Sequence, residues 1–131
     1  MLESAYHLWL STSGPEGGPH LIPVAFVWSG SWITMATFVE SRTVANLRDN
    51  PRARLAVGST ADVVILDGDV RFVAVDEMDT ETADRFAAVS HDPRVMPGLV
   101  YLRFTPHRIQ AWNGFHEFDG RTLMAGGSWR A

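Results

Sequence analysis

A chain of 131 residues, 46% apolar and 20% charged, has the size of one domain and enough apolar side chain for a core of its own. It has no cysteine, which excludes disulfides, thiol nucleophiles, iron–sulfur clusters and cysteine-bound zinc. Its eleven basic residues are all arginine, which excludes a Schiff-base or phosphate-loop lysine. Fifteen acidic residues set the formal charge at −4, against a nucleic-acid surface.

Met1 to Tyr6 carry no basic region ahead of an apolar run, and no stretch approaches the ~18 apolar residues of a membrane span. The expectation is one cytoplasmic domain over residues 1–131, with no membrane or nucleic-acid partner.

Short segments rich in Val, Ile, Phe and Trp, punctuated by Gly, Pro, Ser and Asp, predict antiparallel β structure. Tyr6 to Ser13 reads as a first strand, closed by the turn Gly14-Pro15-Glu16-Gly17-Gly18. His20 to Trp28 reads as a second strand, apolar on both faces. Pro23 inside it cannot donate a ladder hydrogen bond and marks an edge, a bulge or an opening in the pairing. Trp32 to Phe38 is the third strand. Ser41 to Asn50 shifts to helical spacing, with Ser41 as N-cap and Asn50-Pro51 as the stop.

Ala53 to Ser59 and Asp62 to Asp76 return to strands, the second bent at Asp67-Gly68-Asp69. Asp79 to His91 is the longer helix, capped by Asp79 or Thr80, with Ala83, Phe86, Ala87 and Ser90 inward. Leu99 to Thr105 and Arg108 to Asn113 read as a pair of strands around Pro106-His107. The tail from Gly120 is Gly-rich, but Leu123, Met124 and Trp129 predict that it is docked.

No G-x-S-x-G, G-x-G-x-x-G or H-E-x-x-H is present, and His116-Glu117 lacks the second histidine of a metal motif. No catalytic side chain is assigned, and no metal site. The chemistry that the residues do support is anion binding at the start of the first helix. Ser41 caps it, free backbone N–H groups lie behind, Arg42 stands beside, and Thr37 and Thr43 add hydroxyls. An ordinary capped helix with a solvated arginine has the same spacing.

Three stretches together resemble the pyridoxamine 5'-phosphate oxidase-like family of FMN-binding split β-barrels, which also includes deazaflavin-dependent oxidoreductases. They are Gly18-Pro19-His20-Leu21-Ile22-Pro23-Val24, Trp32-Ile33-Thr34-Met35-Ala36-Thr37, and Ser41-Arg42-Thr43-Val44-Ala45-Asn46-Leu47-Arg48-Asp49-Asn50-Pro51-Arg52-Ala53. Asp62 to Gly68 and Pro106 to Trp112 fit the same family's central and closing strands.

The resemblance implies a mainly β (α+β) fold, an antiparallel six-stranded split barrel with two short helices. It also implies a homodimer with cofactor sites at the interface. The cofactor would be FMN, or alternatively coenzyme F420, its phosphate near Thr37, Ser41, Arg42, Thr43 and Asn46. The ring system would lie against Ile22, Pro23, Val24, Met35 and Ala36, with Trp112 approaching from the partner. The implied activity is oxidoreduction of a small planar substrate. The alternative is a non-catalytic flavin- or haem-binding protein, with His20 or His107 as candidate haem ligands. Many family members carry lysine two positions after the serine, where this chain has Thr43, and the arginine-rich substrate loop of a pyridoxamine phosphate oxidase is missing.

Overall fold

The computed structural model describes residues 6–15, 18–114 and 117–130. Among the described residues, nine strands and two α-helices follow in chain order. They are β1 (His7–Ser13), β2 (Pro19–Ala25), β3 (Val27–Trp28), β4 (Ile33–Phe38), α1 (Arg42–Asp49), β5 (Arg52–Gly58), β6 (Asp62–Val73), α2 (Thr80–Val89), β7 (Leu99–Asn113), β8 (Thr122–Ala125) and β9 (Ser128–Trp129). The sheet is antiparallel throughout in the order β2-β1-β5-β6-β7-β4-β3, with β8 added to β7 and β9 to β8. The six long strands form the expected barrel, and β3, β8 and β9 are short additions. β2 and β4 approach one another without pairing, which leaves the barrel split.

Alternation along the strands builds the core. Leu10, Ile33, Met35, Leu55, Val57, Leu66, Leu102 and Phe104 project inward and are fully buried. A second cluster, with Val27, Val73, Phe86 and Tyr101, packs α2 onto the opposite face of β4 and β7. Phe86 meets Tyr101 edge-on at 5.9 Å. Asp79 caps α2 by accepting the Thr82 N–H at 2.9 Å, which holds its carboxyl below the usual range. A depressed carboxylate pKa stabilises at neutral pH and loses that contribution as pH falls through the lowered value.

Pro23 lies on β2, the terminal strand, which pairs only with β1, so the donor it lacks is tolerated. The predicted bend at Asp67-Gly68 is a register shift in the β6–β7 ladder. Three expectations are corrected. The second strand is two, because the chain leaves β1 at Phe26 and resumes as β3 against β4. β6 ends at Val73, and a 3-10 turn, Val75–Glu77, follows. The last two predicted strands are one, since Pro106 pairs opposite Gly68 and His107 is the extra residue of the bulge. The tail is docked through β8: Met124 is buried, whereas Leu123 and Trp129 face outward.

Candidate functional site

The β4–α1 turn is closed by the Ser41 N–H bonding to the Phe38 carbonyl at 3.0 Å. Ser41 is extended (φ −73°, ψ 159°), and its Oγ accepts the Val44 N–H at 3.2 Å. Such a cap contributes about 1 kcal/mol. The Arg42 and Thr43 N–H groups belong to the first turn, where no intrahelical acceptor exists. The Thr37 hydroxyl donates to Ser41 Oγ at 3.5 Å. α1 turns Thr43, Val44, Asn46 and Leu47 inward and leaves Arg42 exposed.

A cavity of about 370 Å³ opens against this turn, lined by Pro15, Glu40, Ser41, Arg42, Asn46 and Asp49 among others. Pro15, just after β1, lines it from outside the helix. Gly14 approaches Asn46 so closely that a Cβ would overlap the Asn46 Oδ1. Asn46 is held by its Nδ2 donating to Thr12 Oγ1 at 3.2 Å. Among the described residues Arg42 is the one cation lining this cavity, against the carboxylates of Glu40 and Asp49. Thr43 is 1% exposed, and its Oγ1 has no hydrogen-bond partner among the described residues. A hydroxyl buried without a partner costs roughly 1–3 kcal/mol. This hydroxyl faces the protein interior and does not line the cavity, so the groups here that fit a phosphate are Ser41, Arg42 and the first-turn N–H groups.

Ser41, Arg42 and Asn46 are therefore brought together, with Thr37 and Thr43 adjoining them. The expected ring-binding residues are not gathered into one surface of the single chain. Ile22 and Val24 pack against the main core, while Pro23, on the opposite face of β2, is exposed. Met35 is fully buried in the main core, and Ala36 belongs to the second cluster. Trp112 lies beyond the part of β7 that pairs with β4, opposite Val63, and packs edge-on against Phe118 at 5.6 Å. His116 lies outside the described residues. His107 Nε2 is engaged by Asp69 Oδ2 at 2.7 Å.

A larger cavity, about 730 Å³, was not foreseen. It is lined by Arg52, Arg54, Asp67, Asp69 and His107, together with Ser11 to Ser13 and Asn50. The signal was present in the sequence: Arg-x-Arg on one strand and Asp-x-Asp on the next place four charges on one face at period 2.

The family model for pyridoxamine 5'-phosphate oxidase matches residues 1–113. No curated protein matches the chain. Three of the solved structures that share the fold illustrate the likeness. An F420 reductase is 19% identical, with 82% of this chain and 91% of that one covered at a TM-score of 0.66. PhzG from Burkholderia lata, in complex with tetrahydrophenazine-1-carboxylic acid, is 18% identical, with 86% and 72% covered at 0.64. A pyridoxamine 5'-phosphate oxidase-related, FMN-binding protein from Nostoc punctiforme is 14% identical, with 81% and 74% covered at 0.59. With the split barrel, the capped helix start and a family match across most of its length, this chain belongs to the pyridoxamine 5'-phosphate oxidase family.

Proposed function

We propose that the protein is an FMN- or F420-dependent oxidoreductase acting on a small planar substrate, with its cofactor bound at a homodimer interface. The observation that carries this reading is the first turn of α1, where Ser41 and Arg42 line a cavity beside open backbone N–H groups. The resemblance to an F420 reductase and to an FMN-binding protein supports both cofactors.

When bound, such a cofactor supplies hydride transfer; the protein supplies position and electrostatics. The chain's own contribution is anion binding. Arg42 offers a charge-assisted bond, the first-turn N–H groups offer neutral ones, and Ser41 holds the turn in shape. Asn46, anchored on Thr12, fixes the inner side of the helix against β1. No side-chain acid or base is assigned to the redox step.

Dimerisation is supported by an apolar outer surface. Trp9 and Pro23 face each other across β1 and β2, and Leu21 lies one pair further along the same face. Trp9 is 48% and Leu21 58% exposed, whereas aromatic side chains of this size are enriched in the cores of interfaces. A second copy covering this face would also bring another chain's residues towards a site that one chain leaves incomplete.

The test is a titration of the purified protein with FMN and, separately, with F420, followed by cofactor fluorescence. Saturable binding of one of them, one per chain and with a Kd of roughly 1 μM or below (about −8 kcal/mol), is the expected result. Failure of both to bind overturns the reading.

A further inference from the structure

The 730 Å³ cavity plays no part in the cofactor reading and lies at the other end of α1, beyond its C-cap Asn50. Arg54 stands opposite Asp67 across the β5–β6 ladder, and Arg52 opposite Asp69. The first pair closes into a two-bond ion pair, with Nε–Oδ1 at 2.6 Å and Nη2–Oδ2 at 3.2 Å. The second does not. The bulge in β7 passes over His107 in the register, and this histidine takes Asp69 at 2.7 Å. The Arg52 guanidinium is left without a hydrogen-bond or ion-pair partner among the described residues, on the wall of a cavity.

Two neutral groups complete that wall. Ser13 Oγ accepts from Asn50 Nδ2 at 3.4 Å, which leaves the Ser13 O–H free to donate. Asn50 Oδ1 in turn accepts the Arg52 backbone N–H at 3.2 Å, holding β5 against the helix end. The volume is in the range of small-molecule sites, and the charged groups lining it select a polar ligand. Arginine's planar fork of donors matches the oxygens of carboxylates and phosphates.

We propose that this cavity binds a small organic oxyanion, a carboxylate or a phosphate monoester, with Arg52 as the anion-binding residue and Ser13 as a neutral donor. The His107–Asp69 contact is part of the site, because it keeps the Asp69 carboxylate from neutralising Arg52. The site shares no residue with the cavity at the first turn of α1.

The probes are inorganic phosphate, phenyl phosphate and benzoate, titrated into the full chain while backbone amide resonances are followed. Saturable shifts at Ser13, Asn50 and Arg52 are expected. Preference for phenyl phosphate assigns a phosphate ligand, and preference for benzoate a carboxylate. Arg52→Ala should weaken binding at least tenfold. Asp69→Asn, which removes a negative charge from the cavity wall, should tighten it several-fold, a gain that a merely structural role would not give. No binding at millimolar probe, shifts confined to Arg42–Val44, or affinity unchanged in Arg52→Ala would overturn the proposal.

Discussion

Gly68→Ala is expected to lower stability by about 3 kcal/mol or more, near the upper end of overpacking effects. A Cβ at this position would overlap the Thr105 carbonyl oxygen, and would lie 2.8 Å from Phe104 Cζ and 2.9 Å from Pro106 Cα. Two of these atoms are backbone and the third belongs to a fully buried ring, so none gives way cheaply. The bulge forms because the strands approach this closely, and only glycine permits it. Gly18→Ala and Gly120→Ala, where a Cβ would meet nothing within 4 Å, are the matched controls. Thermal melts should show a loss of roughly 10 °C or more for Gly68→Ala and little change for the controls. A Gly68→Ala melt indistinguishable from wild type would mean that β6 and β7 are less tightly apposed than described.

The second large effect concerns the outer face of β1 and β2. Trp9→Glu combined with Leu21→Glu places two carboxylates on a surface that the dimer reading requires to be buried. An unpaired charge at an interface core costs several kcal/mol, and a stable interface hides about 800 Å² per partner. Sedimentation should show the wild type as a dimer and the double variant as a monomer. The variant's cofactor affinity should fall at least a hundredfold while its fold persists, because both side chains are substantially exposed in the single chain. A wild-type monomer, or full cofactor affinity in the variant, would separate the site from any interface.

Much of the fold was legible because it rests on local chemistry. Ser41 and Asp79 declare helix starts by their capping oxygens, Pro23 declares a strand that lacks one neighbour, and Asp67-Gly68 declares a bulge. What was not legible depends on distant partners. Nothing local to Phe26 says that the chain changes neighbours there. Its N–H bonds to the Tyr6 carbonyl at 2.9 Å and its ring is fully buried, after which Val27 pairs with Thr34.

Pro106 likewise reads as a break. The register shift lets a residue without an N–H sit opposite Gly68, so β7 runs through it. At the candidate site, the spacing identified Ser41 and Arg42, which do line one cavity. The inward turn of Thr43 and the alternate faces of Met35 and Ala36 follow from packing against β1 and α2. The larger cavity was missed because its charges lie on two strands whose register only the fold sets.

Arg42→Ala tests most directly the proposed holding of an anion at the first turn of α1. Arg42 is exposed and has no hydrogen-bond or ion-pair partner among the described residues, so the melting temperature should hold. A hydrogen bond to a charged group contributes roughly 1.5–3 kcal/mol, which corresponds to about one to two orders of magnitude in affinity. Calorimetric titration of wild type and Arg42→Ala with the cofactor that binds should therefore show a ten- to hundredfold loss at unchanged stability. Equal affinities in the two proteins would contradict the assignment of the phosphate to this turn.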